Sequence, residues 1–205
     1  MQAKLDVQPL FATPYARVNL SHVITPEHVA YIKNLKMVQN QQNMISEDLY
    51  IFKHPQLSAI SQAIHEMLAE YAREVMGISQ DLVVTQSWSL TNMPGVGMHA
   101  HTHSNSIISG SFYYAPMPEP PARMFFDRFA NYQRIELRPG EGKRNLFNTS
   151  LNAVVPKQGD LVLFPSEINH LVEANSANEP RHAIAFNSFI KGTIGDYRDV
   201  SQLTL

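Results

Sequence analysis

The chain contains no cysteine. That excludes disulfides, thiolate metal sites and thiol nucleophiles. It has no apolar run long enough to span a membrane. Its first residues, Met-Gln-Ala-Lys-Leu-Asp-Val-Gln, lack the apolar core of a secretory signal. A cytoplasmic protein is therefore expected. Charge of one sign is lacking too: 16 Lys and Arg stand against 18 Asp and Glu, a formal net charge of −2. That balance speaks against a nucleic-acid clamp or a basic membrane patch. There is no run of like charges, no low-complexity tract and no internal repeat. What is present suits one domain. A chain of 205 residues, 44% hydrophobic, has enough material for a real core and buries roughly 70% of its unfolded surface.

The chain reads in two parts, residues 1–80 and 81–195. Residues 7–20 read as an opening strand interrupted by Pro14. Thr25-Pro26 is a helix start, with Thr as cap and Pro in the first turn, and Val29, Ile32 and Leu35 follow at helical spacing. Gln39 to Asn43 is wholly polar and reads as a loop. Leu57, Ile60, Ile64, Leu68, Tyr71 and Val75 make one apolar stripe, which predicts a helix over 55–76. From Leu82 the pattern changes to short strands near 82–91, 98–103, 106–115, 123–127, 133–138, 152–155, 160–165 and 183–190. Turn signals such as Pro139-Gly-Glu-Gly and Pro156-Lys-Gln-Gly separate them. Many short strands without intervening helices predict a mainly β sandwich or barrel, with the N-terminal helices packed on one sheet.

The strongest chemical signal is His99-Ala-His101-Thr-His103. On a regular strand, the period of two puts all three imidazoles on one face. Two such residues hold a metal in cis, and a third ligand must come from elsewhere. His170 is the candidate, because it follows the apolar strand Asp160-Leu-Val-Leu-Phe164. The competing reading is a His-rich polar strand edge. Imidazoles without thiolates suit iron, zinc, copper or nickel. The carboxylate that usually joins two His on non-haem iron is missing here: between Glu74 and Glu119 the only acid is Asp81, too early in the chain. The ligand set is therefore His-x-His plus His170.

Arg181 lies eleven residues after His170 and opens the apolar run Ala183-Ile-Ala-Phe186. Strand-start arginines are usually solvated. One entering a sandwich interior needs an anion, since an unpaired buried charge is very costly. Its planar fork matches a carboxylate, and the far carboxylate of 2-oxoglutarate is such a partner. Tyr113 and Tyr114 follow the His run, and one of the two must face inward on a regular strand. Asn92, Trp88 and Asn187 are further pocket candidates, each weak alone.

These residues resemble the 2-oxoglutarate- and Fe(II)-dependent oxygenases, specifically a prolyl-hydroxylase-like branch of bacterial and phage proteins. Three stretches carry the resemblance. They are His101-Thr-His103-Ser-Asn-Ser-Ile-Ile-Ser-Gly-Ser-Phe-Tyr-Tyr114, Val155 to His170 with its Gly-Asp and Phe-Pro-Ser elements, and Arg181 with Ala183-Ile-Ala-Phe-Asn187. The opening Pro9-Leu-Phe-Ala-Thr-Pro14 is similar to the family's start. The resemblance implies a double-stranded β-helix, a cupin-like jelly roll. It implies Fe(II) as metal and 2-oxoglutarate as co-substrate. It implies His101, His103 and His170 as metal ligands, with His99 as the possible substitute in the pair. It implies Arg181, Tyr114, Asn187 and Asn92 around the 2-oxoglutarate, and no catalytic residue beyond the metal ligands. The wider superfamily carries Asp or Glu where this chain has the second His of the pair.

The implied activity is hydroxylation of a small-molecule or peptide substrate with release of succinate and CO2. Two other readings compete. One is a cupin-like three-His metalloenzyme that does not use 2-oxoglutarate. The other is a non-enzymatic jelly-roll module. Neither the substrate nor the oligomeric state, for which a homodimer is one option, is written in the sequence. Loops 116–122 and 139–152 are expected to specify the pocket.

Overall fold

The structure, a computed structural model, describes residues 5–10, 12–128 and 139–205. The strand expected at 133–138 lies outside the described residues, as does Phe11 of the opening segment. Two antiparallel sheets face each other. The larger has seven strands in the order β1 (Ala16–Asn19), β9 (Asp160–Pro165), β6 (Ile108–Phe112), β11 (Arg181–Lys191), β4 (Asp81–Asn92), β3 (Met44–Ser46) and β2 (Met37–Gln39). The smaller has the order β5 (Met98–His101), β10 (Asn169–Val172), β7 (Met124–Asp127) and β8 (Leu151–Val154). This is a double-stranded β-helix. A small hairpin, β12 (Thr193–Ile194) with β13 (Leu203–Thr204), follows.

Strand alternation sorts side chains onto two cores. Ile108, Phe112, Leu161, Leu163, Ile184 and Phe186 point out of the large sheet onto the helices. Their neighbours in sequence, Tyr113, Val162, Phe164 and Ala183, point between the sheets with Met124, Phe126 and Val154. The inner face of β6 and β11 is built from small residues, Ser109 and Ser111 beside Ala183 and Ala185. Small side chains there leave room for a cavity.

The helical layer follows the sequence closely. Helix α1 (Pro26–Lys33) begins at Thr25, whose hydroxyl accepts from the His28 amide at 3.3 Å while the Thr25 amide donates to His28 Nδ1. This is a capping box with His in place of the usual Glu or Gln. A short 3₁₀ turn, Pro55–Leu57, runs into helix α2 (Ser58–Glu70). Leu57, Ile60, Ile64, Leu68 and Tyr71 are buried against the large sheet as expected. Val75 is not; it is 45% exposed. Over Tyr71–Met76 the helix widens to a π turn, which rotates later residues off the original stripe. Gly77, at φ +67°, ends it in the left-handed conformation. The opening strand expected within 7–20 forms as β1 after Pro14, and β2 and β3, not expected from the sequence, also join the large sheet. Among the described residues no helix is long and apolar enough to cross a membrane.

Candidate metal centre

The centre forms where the edge strand β5 meets β10. His101 pairs with His170, but the next pair is Met98 with Val172. Two residues of β5, His99 and Ala100, therefore oppose one of β10, Leu171, a bulge. It breaks the period of two that a regular strand would give His99, His101 and His103. His99 turns to solvent and stays out of the group, while Met98 and His101, three apart, both line the interior. His103 lies past the strand end, where its amide donates to the Ser166 carbonyl at 3.0 Å.

The result brings His101, His103 and His170 together, with one ligand atom from each lying within 4.8 Å of the others. His103 Nε2 and His170 Nε2 are 3.3 Å apart. Two nitrogens at right angles on one ion, each about 2.1 Å from it, would be about 3.0 Å apart, so the spacing fits a shared metal. His170 Nδ1 donates to the Ile168 carbonyl at 3.0 Å and His101 Nδ1 to the His99 carbonyl at 2.8 Å. Both bonds leave the Nε2 lone pair free. Burial is the main force on all three rings. It pushes His170 down to about 3 and His103 down to about 4, and it lowers His101. All three are neutral at pH 7, the form that binds metal. Phe164 meets His170 edge-on with ring centroids 4.6 Å apart. No carboxylate joins the group among the described residues.

Arg181 faces inward at the start of β11, opposite Asn92 on β4, and is 2% exposed. Its Nη2 donates to the Tyr113 hydroxyl at 3.1 Å, and its guanidinium lies 5.0 Å from the Tyr113 ring centroid. Among the described residues its Nε has no partner and no carboxylate lies within ion-pair distance. A buried guanidinium in that state calls for an anion.

Three sequence assignments change here. Tyr113, not Tyr114, is the tyrosine on Arg181; Tyr114 belongs to the helix-side core, where burial pushes its hydroxyl up to about 12. The parity of β6 decides this: Phe112 and Tyr114 share the outward face. Asn187 is six residues along β11 from Arg181, about 20 Å in an extended strand. That is beyond the roughly 7 Å length of a five-carbon diacid, so the two cannot hold the same carboxylate. Its Oδ1 accepts from Ser109 Oγ at 3.0 Å instead. Asn92 does lie beside Arg181, but its Nδ2 is engaged by the Gly97 and Val96 carbonyls. Only its Oδ1, buried and unpartnered, is left, an acceptor that suits a water or hydroxyl better than a carboxylate.

The three His open onto a cavity of about 300 Å³. One part is walled by Leu90, Asn92, Met98, Met124, Phe164 and Val172. The rest reaches Trp88, Gln86, and Asn40 and Asn43 in the β2–β3 turn. Sequence reading saw in Asn40 to Asn43 only a polar loop, because nothing local says that a hairpin folds back over a distant strand. The loop at 139–152 contributes Leu146, Phe147, Thr149, Ser150 and Asn152 to a second, larger groove of about 960 Å³ beside Thr102.

Residues 86–187 match the profile of a family described as "Putative 2OG-Fe(II) oxygenase". The chain belongs to this family of 2-oxoglutarate- and Fe(II)-dependent oxygenases. Solved structures share the fold. A 2OG-Fe(II) oxygenase-family oxidoreductase from Burkholderia pseudomallei aligns with a TM-score of 0.60 at 8% identity, over 85% of this chain and 83% of its own. A prolyl-4-hydroxylase from Pseudomonas putida aligns with a TM-score of 0.58 at 13% identity, over 88% and 94%. HygX from Streptomyces hygroscopicus, solved with nickel, 2-oxoglutarate and hygromycin B bound, aligns with a TM-score of 0.58 at 13% identity, over 86% and 82%. A comparison with curated protein sequences finds no match.

Proposed function

We propose that the chain hydroxylates an organic substrate using Fe(II) and 2-oxoglutarate, with His101, His103 and His170 holding the metal and Arg181 the co-substrate. The observation that carries this reading is the pairing, in one sandwich, of a half-buried, neutral three-His group with a buried arginine that has no anion partner among the described residues. The donor set fits a divalent first-row ion. Three neutral ligands leave the metal's full charge uncompensated, which favours a dianionic 2-oxo acid beside it. When bound, the metal and co-substrate would supply, with dioxygen as oxidant, oxidative decarboxylation of 2-oxoglutarate to succinate and CO2, one oxygen atom entering succinate and the other a substrate C–H bond.

The chain's own residues bind and orient. Arg181 and the Tyr113 hydroxyl take the far carboxylate. The carbonyls of His99 and Ile168 fix the ring orientation of His101 and His170. Leu90, Met124 and Phe164 line the cavity onto which the metal group opens and keep it apolar. Residues 81–195 form the reacting jelly roll and residues 1–80 its support. A reducing compartment such as the cytoplasm keeps the metal ferrous, and the reading places the protein there. The test is succinate formation from 2-oxoglutarate with Fe(II) and ascorbate. Succinate that requires Fe(II) and is lost in Arg181→Ala supports the reading. Metal binding without any 2-oxoglutarate binding returns it to the cupin-like alternative.

A further inference from the structure

Three segments far apart in sequence meet in a polar cluster that the metal ligands do not enter. Ser106 lies in the loop between His103 and β6, and Ser109 lies on β6. Ser166 belongs to the turn between β9 and β10, and Asn187 to β11. Ser109, Ser166 and Asn187 are 1%, 0% and 7% exposed. Ser166 Oγ lies 2.8 Å from Ser109 Oγ and 2.7 Å from Ser106 Oγ. Ser109 Oγ donates to Asn187 Oδ1 at 3.0 Å, and the Ser188 amide donates to Ser106 Oγ at 3.3 Å. Each of the three hydroxyls therefore bridges two neighbours. Such a chain is satisfied only when all its members stand in register, so it fixes the relative positions of the segments that carry them.

Ser166 is the link to the metal group. Its carbonyl accepts from the His103 amide at 3.0 Å, and its own amide donates to the Ile107 carbonyl at 2.9 Å. Two residues on, the Ile168 carbonyl takes His170 Nδ1 at 3.0 Å. One short turn thus holds the backbone of one ligand and the ring of another. His101 and His170 each have Nδ1 fixed by a carbonyl, but among the described residues His103 Nδ1 has no such partner. Beyond its ring contacts, His103 is aimed through its backbone, and that backbone is tied to Ser166. We propose that Ser106, Ser109, Ser166 and Asn187 are positioning residues, a buried hydroxyl chain that clamps the β9–β10 turn and so sets the spacing of His103 and His170 for the metal. Metal ligands must be held within roughly 0.5 Å of the productive geometry by the groups around them. The proposal rests on the reading of the three-His group as the metal centre, and it adds the device that keeps two of the ligands in register.

A cluster that merely ties strands together would lower stability when cut and leave the metal alone. Ser188 supplies the control. Its side chain is 0% exposed and its Oγ donates to the Ile108 carbonyl at 2.6 Å, but that hydroxyl touches neither Ser109 nor Ser166. The full chain and its Ser166→Ala, Ser109→Ala and Ser188→Ala variants are compared in three ways. Equilibrium dialysis gives Zn(II) affinity, Co(II) titration gives a visible spectrum that reports ligand geometry, and guanidinium unfolding of the metal-free protein gives stability. All three variants lose a buried hydroxyl and should lose stability. Ser166→Ala and Ser109→Ala should also bind Zn(II) roughly 10- to 100-fold more weakly and change the Co(II) spectrum. Ser188→Ala should match the parent in both. Ser109→Thr, which keeps a hydroxyl, should bind Zn(II) more tightly than Ser109→Ala. Should Ser166→Ala not fold, Ser109→Ala and Asn187→Ala, further along the chain of hydroxyls, carry the same comparison. Folded variants that match the parent in affinity and spectrum overturn the proposal, as does a Ser188→Ala that loses as much metal affinity as they do. In both cases a parent that needs His170 for Zn(II) keeps the reading of the site. A parent that binds no Zn(II), or binds it as well in His170→Ala, takes that reading and the proposal down together.

Discussion

Replacing Arg181 with alanine separates binding from folding in one substitution. The side chain is 2% exposed and, among the described residues, makes one hydrogen bond, to the Tyr113 hydroxyl, while its Nε has no partner there. In the metal-loaded, co-substrate-free protein it is a buried cation without a counter-charge, and removing it relieves a desolvation cost. The loss of packing volume works the other way. The net change in stability of that form is therefore expected to be small. In the complex, the same group would give a two-pronged, charge-assisted contact out of water. Truncating one partner of such a pair costs roughly 2–5 kcal/mol, which is a loss of affinity of roughly 30- to 5,000-fold. Arg181→Lys keeps a charge but not the fork and should fall between. Tyr113→Phe removes one hydrogen bond, about 1 kcal/mol or about fivefold. The assay is calorimetric titration of 2-oxoglutarate into Zn(II)-loaded protein, with metal content measured in parallel. Parent and Arg181→Ala binding 2-oxoglutarate within about twofold of each other would refute the assignment.

His170→Ala should abolish stoichiometric metal binding by equilibrium dialysis; affinity equal to the parent's would remove His170 from the ligand set. The metal-free protein should lose stability as pH falls from about 6.5, the ordinary imidazole value, through the folded values of about 4 for His103 and His182 and about 3 for His170. In that window the unfolded chain binds protons that the folded chain refuses, so stability rises with pH; a guanidinium midpoint that stays flat or rises between pH 6.5 and pH 4 would contradict the burial argument. Gly110→Ala should destabilise the fold by about 1–3 kcal/mol, because its Cβ would collide with the buried Phe186 ring; an unchanged melting temperature would show that the ring moves aside freely.

Much of the architecture is legible before folding because it is periodic. The helical stripe from Leu57 to Tyr71, the cap at Thr25 and the strands around 82–91 and 160–165 all appear where their patterns place them. What stays hidden depends on partners far away in sequence. Strand β10, Asn-His-Leu-Val, has no alternation of its own and exists because β5 and β7 flank it. The bulge that takes His99 off the metal face is a mismatch between two strands, invisible in either. The choice between Tyr113 and Tyr114 is one of parity, and parity needs a known face. The sheet supplies it, with Phe112 and Tyr114 outward and Tyr113 inward. Asn187 follows Arg181 closely in sequence, but both lie on the extended strand β11, which sets them about 20 Å apart. The turn at Asn40 and Asn43 reaches the cavity through the pairing of β3 with β4, which no local signal announces.

The most direct test of the central claim is an anaerobic titration of the Fe(II)-loaded protein with 2-oxoglutarate, followed by visible absorption. Chelation of the ferrous ion by the 2-oxo acid should produce a charge-transfer band that saturates at one 2-oxoglutarate per chain. The band should be missing from His170→Ala, and in Arg181→Ala it should need far higher concentrations. A protein that binds Fe(II) through His101, His103 and His170 yet gives no band at any 2-oxoglutarate concentration would contradict the account.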